Sequence, residues 1–355
     1  MRVQMYDKST IRGGTKRMKF TKISLVSLLV VLLSLGVLTG CGKASSPQQP
    51  TSQTKGPGDY KIVLILPGPI NDQSWNATNY SGLTACNTSL GTKMEDVENV
   101  QAQNYESTFR NYGQRGYDLV IAAGTQFDDA AKKVAAVYPK TDYLVVNGDV
   151  SASPNLSSVT IREWESGYVS GVIAGYTTKS GIIGEIGGFP NAIMIDCLNG
   201  VTAGAKSVNP SFKKAIRAYA NTWSDVAKVK ELASSMISQG ADTIFAYANQ
   251  AGLGAIQACQ DKKAKLIGFS SDQNSVAPGV VPASVVYDYG ALYESFVKEF
   301  LGGTWKAEVV GAGIKEGVVN VIYTSSISQA VKDKVTQVEN DIISGKIPKP
   351  ATTAQ

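Results

Sequence analysis

The chain has no histidine among its 355 residues. That excludes a Ser-His-Asp triad, a Cys-His dyad, an imidazole metal site and a histidine proton shuttle. Cysteine is scarce as well: Cys41, Cys86, Cys197 and Cys259, with no C-x-x-C spacing. Three cysteines beyond Cys41 cannot all pair, and the spacing supports no metal site, so free and mostly buried thiols are expected. Phosphate-loop and nucleophile signatures such as G-x-G-x-x-G, the Walker lysine or G-x-S-x-G are missing. Nor does any basic run alternate with aromatics. The formal charge of +5 is misleading, because residues 1–40 hold Arg2, Lys8, Arg12, Lys16, Arg17, Lys19 and Lys22 against Asp7 alone. The remaining chain carries 27 basic and 28 acidic residues, a net charge of −1. A near-neutral body gives no electrostatic reason to expect nucleic acid as a partner.

What is present begins with an address. Basic residues end at Lys22, and Ile23–Leu38 follows as sixteen residues of Ile, Leu and Val with three serines and one glycine. This is short for a span, which needs ~20 residues. A basic region, a short apolar region and small residues before a cut describe a secretory signal over 1–40. Leu38-Thr39-Gly40-Cys41 resembles the lipobox of bacterial lipoproteins, in which Cys41 is diacylated and becomes the new N-terminus. Met18-Lys19-Phe20 would open a more compact signal. Gly42–Gly58 has no large apolar residue and reads as a flexible tether behind the lipidated cysteine, residues 41–58. The expected location is the outer face of the cell membrane, held by a lipid anchor.

From residue 59 short β-rich runs alternate with helical periodicity. Lys61–Leu66, Asp118–Ala122, Tyr143–Val146, Gly181–Ile186, Lys214–Tyr219, Thr243–Tyr247 and Leu266–Phe269 read as strands. Trp75–Leu90, Phe127–Tyr138, Trp164–Tyr176, Ala192–Ser207, Asp225–Gln239 and Ala251–Asp261 read as helices. Such alternation predicts an α/β protein with parallel sheets covered on both faces. The number of units predicts two doubly wound lobes: 59–163 with part of 270–310, and 164–269 with part of 311–350. Ligands in open α/β sheets sit beyond the carboxyl ends of the strands. The unusual polar and aromatic residues collect there: Asn71–Asn76, Gly124–Asp129, Asn147–Asp149, Gly188–Pro190, Trp223–Asp225, Ala248–Gly252 and Ser271–Gln273. A binding cleft between lobes is therefore expected on geometry alone.

The same clusters carry a resemblance. Ile70-Asn71-Asp72-Gln73-Ser74-Trp75-Asn76 with Gly82-Leu83 is similar to I-N-D-x-S-F-N…G-L of the basic membrane protein family, the purine nucleoside receptor A-like substrate-binding lipoproteins of ABC transporters. Glu165–Gly175, Gly181–Gly188, Gly200–Pro210, Trp223–Gly240 and Gly268–Gln273 resemble further motifs of that family, in the same order. The resemblance spans roughly residues 60–300 and implies a type I periplasmic-binding-protein fold, two lobes joined by three crossovers and closing on a ligand. It implies that Asn71, Asp72 and Asn76 border the ligand, that Tyr80 and Trp223 stack on a purine from opposite lobes, and that Asp272 accepts hydrogen bonds from ribose hydroxyls. A further base contact falls at Phe127, Asp128 or Asp129. Two departures concern the ligand: Tyr287 stands where the family often has a lysine, and Val201 where it has a phenylalanine. A free base, a nucleoside or another flat heterocycle all fit.

Bland readings accompany these. Ser224 and Asp225 are good caps for the helix after them, as Asp128 or Asp129 is after Gly124. Trp75 begins a helix that packs on a sheet and reads as core. The resemblance makes the chain a non-catalytic solute-binding lipoprotein feeding an ABC importer, with a purine nucleoside or base as ligand, permease subunits as partners, and no cofactor or metal. The alternatives are a sensor lipoprotein of the same fold, or a nucleoside hydrolase using Asp72 and Asp272.

Overall fold

A computed structural model describes residues 55–351. Cys41, the signal segment and most of the tether lie outside the described residues. The last tether residues, 55–58, are attached to the body. Lys55 Nζ lies 2.6 Å from Asp118 and 4.6 Å above the Tyr60 ring, and a short 3-10 turn, Pro57–Asp59, follows.

Strands β1 (Ile62–Ile65), β2 (Glu95–Val97), β3 (Leu119–Ala123), β4 (Asp142–Val146) and β5 (Leu156–Ile161) lie in the first half of the body. Strands β6 (Ile182–Gly187), β7 (Lys214–Tyr219), β8 (Thr243–Tyr247), β9 (Lys265–Ser270), β10 (Ala283–Tyr287), β11 (Val309–Ala312) and β12 (Val319–Tyr323) follow. They form two six-stranded sheets, in the orders β11-β5-β4-β3-β1-β2 and β12-β10-β9-β8-β6-β7. Pairing is parallel throughout except for β12, which runs antiparallel to β10. Parallel strands are buried on both faces, and Ile62–Ile65 and Leu119–Ala123 are accordingly apolar and buried at every position. β5 is the exception in composition. Its Leu-Ser-Ser-Val-Thr-Ile run is buried because Ser157 Oγ donates to the Glu308 carbonyl and Ser158 Oγ to the Val150 carbonyl.

The helices are α1 (Trp75–Leu90), α2 (Tyr105–Gln114), α3 (Asp128–Ala135), α4 (Glu163–Thr177), α5 (Ala192–Val208), α6 (Val226–Ser238), α7 (Leu253–Lys262), α8 (Tyr289–Leu301) and α9 (Gln329–Ile343). The chain passes between the sheets three times: from β5 into α4, from β10 into α8, and from β11 into β12. α8 leaves the second sheet to pack on α1, where Tyr293 Oη donates to Asn79 Oδ1 at 2.6 Å. This is a type I periplasmic-binding-protein fold. Among the described residues no helix is long and apolar enough to cross a membrane. Cys86, Cys197 and Cys259 are free and buried.

The Glu165–Gly175 motif acquires a physical meaning here. Gly167, Gly171 and Gly175 form a smooth stripe, one residue per turn, against which α5 lies. A methyl group built on Gly171 would sit 2.0 Å from the Val201 carbonyl oxygen, and one on Gly167 2.1 Å from that of Cys197. Gly204 of α5 returns the fit, 2.1 Å from the Tyr168 carbonyl. The helices therefore touch backbone to backbone. Val201, which replaces a phenylalanine of the family motif, is fully buried in this contact. Gly171→Ala should destabilise the body by about 1–3 kcal/mol, the usual cost of forcing extra methylenes into a packed core. Gly252→Ala, whose added methyl meets nothing nearer than 4.0 Å, should unfold with the wild type. Urea titration of both variants checks this.

Candidate functional site

In the first sheet the direction of winding reverses at β1 and β3; in the second it reverses at β6 and β8. Loops leaving such strands diverge and open a crevice. A cavity of about 790 Å³ lies there. Its walls include Pro67–Pro69 after β1, Gly124–Gln126 after β3, Asn147 after β4, Phe189 and Asn191 after β6, Asn221–Ser224 after β7, and Tyr247, Asn249 and Gln250 at the end of β8. Both lobes thus contribute. Among the described residues the lining includes five aromatic residues and nine asparagines and glutamines, and neither lysine nor arginine.

Asp72 is buried at the N-terminus of α1. Its carboxylate accepts the backbone N–H groups of Ser74, Asn76 and Ala77 at 2.9–3.0 Å and the Asn76 amide at 2.7 Å. These are the donors that a helix start leaves unpaired, so Asp72 fixes the first turn of α1. Asn76 Oδ1 in turn accepts the Gly68 N–H at 3.1 Å. Both residues line the cavity, yet their polar atoms are largely engaged in shaping its wall. Trp75 also lines it, with Nε1 donating to the Ala123 carbonyl at 3.1 Å and its ring edge-on to Tyr289.

Trp223 forms the aromatic face of the second lobe. It stands 5.3 Å from Phe189 and 6.4 Å from Tyr247, centroid to centroid. Its indole rests on Gly188, where a methyl group would lie 2.1 Å from the ring. Asp225 caps α6 through the Lys228 N–H at 3.0 Å, as its bland reading expected. From the first lobe, Tyr105 at the start of α2 faces the same space.

Four of the expected ligand contacts are not among the lining residues. Asn71 is exposed on the loop before α1. Tyr80, half-buried one turn and more along α1, packs on the core. Asp128 stands behind the wall: its Oδ2 accepts the Thr125 hydroxyl at 3.0 Å and the Asp149 N–H at 3.4 Å. Burial, reinforced by nearby Asp149, pushes its carboxyl up to about 6. Asp272 is exposed, and its Oδ1 closes a turn on the Asn274 N–H at 3.0 Å. Its neighbour Gln273 crosses to the first lobe, donating to the Gln73 carbonyl at 3.1 Å. Tyr287 is buried below the cavity, its hydroxyl 2.9 Å from Ser166 Oγ. Of Asp72 and Asp272, the pair a hydrolase would use, only Asp72 lines the cavity, although the loops that carry them meet where Ser271 and Gln273 bond the Gln73 carbonyl.

Glu163, the first residue of α4, had no sequence signal beyond its place two residues before Glu165. It lies just past the first passage between sheets and is 2% exposed. Oε1 accepts from Asn147 Nδ2 of the first lobe at 2.7 Å and from Tyr247 Oη of the second at 2.8 Å. Oε2 has no partner. Burial pushes this carboxyl up from its ordinary value of 4.5 to about 8, against the two hydrogen bonds, which lower it. From pH 4.5 to 8 the folded protein therefore holds a proton that the unfolded chain has released. Stability contributed by this group falls as pH rises through that window, at up to about 1.4 kcal/mol per unit. Glu163→Gln cannot ionise. Its melting temperature should match wild type near pH 5 and exceed it at pH 9, read by thermal melts of the ligand-free protein across that range.

Against known proteins, the family described as ABC transporter substrate-binding protein PnrA-like matches residues 60–353. A purine-binding protein of Brucella abortus is 31% identical over 290 residues, covering 81% of this chain and 82% of the relative. The ABC transporter nucleoside-binding protein BmpA of Lactococcus lactis is 28% identical, covering 91% and 97%. Among solved structures, an ABC transporter solute-binding protein from Conexibacter woesei superposes with a TM-score of 0.70 at 21% identity, covering 83% of this chain and all of that one. The motifs, the two sheets, the crevice at their switch points and these similarities agree: the chain belongs to the Bmp family of PnrA-like ABC transporter substrate-binding proteins.

Proposed function

We propose that this protein is an extracytoplasmic lipoprotein that captures a purine, as base or nucleoside, between its lobes and hands it to the permease of an ABC importer. The observation that carries this reading is the lining of the cavity. Aromatic residues approach from both lobes, Tyr105 from one and Trp223 with Phe189 from the other, and amide side chains fill the space between them. Aromatic faces suit a flat ring, each stack contributing about 0.5–1.5 kcal/mol beyond burial. Asparagine and glutamine offer donors and acceptors together, matching the mixed edge of a purine. Without a lysine or arginine the site has nothing to neutralise a phosphate, so nucleotides fit poorly. The names of the Brucella and Lactococcus relatives point to the same class.

Closure of the lobes would complete the site, the ligand favouring the closed state by its better fit there. Asp72, Asn76 and Trp223 are the proposed contacts or their immediate supports. The lipid anchor rests on Leu38-Thr39-Gly40-Cys41 behind an apolar run.

Thermal melts with adenine, guanine, hypoxanthine and their nucleosides should show stabilisation, about 2.7 kcal/mol at a hundredfold excess over Kd. A response only to sugars or amino acids would reject the ligand class and leave the fold untouched. Calorimetry should find that Trp223→Ala weakens base and nucleoside alike, roughly tenfold, because stacking acts on the ring. Asp272→Ala should leave both within about twofold, as an exposed side chain outside the cavity; a loss confined to the nucleoside would restore the ribose role that the family resemblance implies. In cells, Cys41→Ser should release a folded body from the membrane fraction. Full retention after high-salt washing would reject lipidation.

A further inference from the structure

Glu163 is the one fully enclosed acid in the cavity wall with an oxygen left unused. The two oxygens are not equivalent. Oε1 receives two donors, one from each lobe, as a carbonyl oxygen would. Oε2 receives none. Among the described residues no cation balances a charge there. Arg162, next in sequence, is held by Glu165 and Glu316. The titratable groups around Glu163 are Tyr247 on β8, Tyr287 on β10, Tyr289 on α8 and Cys197 on α5, all raised by burial and so neutral near pH 7. Across the same cavity, the Asp72 carboxylate accepts four N–H donors of its own.

We propose that Glu163 is the residue that reads the ligand's heterocycle, as a neutral carboxylic acid whose Oε2–H donates to an acceptor atom on the ring. The acceptor would be an unprotonated ring nitrogen or a carbonyl oxygen. A buried polar group without a partner is costly. In the empty cleft Oε2 is in that condition and closed to solvent, so the ligand acceptor reaches and relieves it as the lobes close on the ring. A ring presenting an N–H at the same place would meet an O–H instead and be refused, since two donors cannot pair. The elevated pKa is consistent with this arrangement. So is the tautomer: a proton on Oε2 leaves Oε1 free to accept from both Asn147 and Tyr247. Because Oε1 joins the lobes, the atom that reads the ligand belongs to the group that ties them.

This inference rests on the purine reading, and the test separates the two. Adenine is the probe, since it stays neutral over the range used. Calorimetric affinity of the wild-type body should fall about tenfold between pH 7 and 9, as Glu163 loses its proton. Glu163→Gln keeps an acceptor toward Asn147 and Tyr247 and a donor toward the ligand. It should bind within about fivefold of wild type at pH 7, show no fall, and bind more tightly than wild type at pH 9. Glu163→Leu should lose at least tenfold at pH 7. Should Glu163→Gln lose as much as Glu163→Leu, or wild-type affinity hold constant or rise to pH 9, the carboxyl acts ionised or not at all and the proposal is wrong. Thermal melts establish that both variants are folded. If wild type binds no purine at any pH, the purine reading fails. Infrared difference spectra of the ligand-free protein then decide the state of Glu163. A carboxylic-acid carbonyl band at pH 7 that is missing from Glu163→Gln supports the assignment, and its absence from wild type overturns it.

Discussion

Two hydrogen bonds to one carboxyl oxygen link the halves of this molecule at the floor of its cleft. Asn147 ends a strand of the first sheet, Tyr247 ends a strand of the second, and both donate to Glu163 Oε1. The geometry is possible only because α4 begins as soon as the chain leaves β5. It also depends on where α4 is seated, and the glycine stripe sets that by letting α4 lie on α5 backbone against backbone. A substitution in the stripe would therefore act on the cleft floor without touching any ligand.

Further ties between lobes lie near other strand ends. Gln273 reaches the Gln73 carbonyl, and Thr78 Oγ1 bonds the Ser270 carbonyl at 3.2 Å. Arg162 bonds Glu165 and Glu316, and the Glu165 carboxylate accepts the Ile314 N–H at 2.8 Å. The Arg162, Glu165, Ile314 and Glu316 contacts gather where the chain crosses between sheets, the few positions at which a hinge can absorb backbone change. A polar hinge is suited to movement, since water can replace its partners at modest cost.

Much of the fold was legible because the periods were clean. Trp75–Leu90 and Lys214–Tyr219 have the boundaries expected from the sequence, and α6 ends beside Gly240 as its pattern requires. β5 was not legible. Leu156–Ile161 carries three hydroxyl residues, and its burial depends on carbonyls of Val150 and of Glu308, the latter 151 residues away from its serine. The site divided in the same way. Trp223 stands on a loop after a strand, where ligands of open α/β sheets bind, so an unusual aromatic there could be read as a wall of the cleft. Asp272 sits in an equally suggestive place, but a turn onto Asn274 directs it outward, and no pattern in the residues announces such a turn. Glu163 was invisible for a deeper reason. Its meaning comes from Asn147 and Tyr247, 16 and 84 residues distant, and from an oxygen that lacks a partner.

The lining without lysine or arginine has a consequence for the speed of capture. Electrostatic steering raises encounter rates when a cleft and its ligand carry opposite fields, and that gain is lost in salt. Here no lysine or arginine is among the described lining residues, Asp72 is wrapped in N–H donors, and burial keeps the proton on Glu163. A neutral heterocycle would arrive by diffusion alone, limited by how often the lobes part. The rate would then be nearly the same in fresh water and in brine, a useful property for a protein whose surroundings the cell does not control.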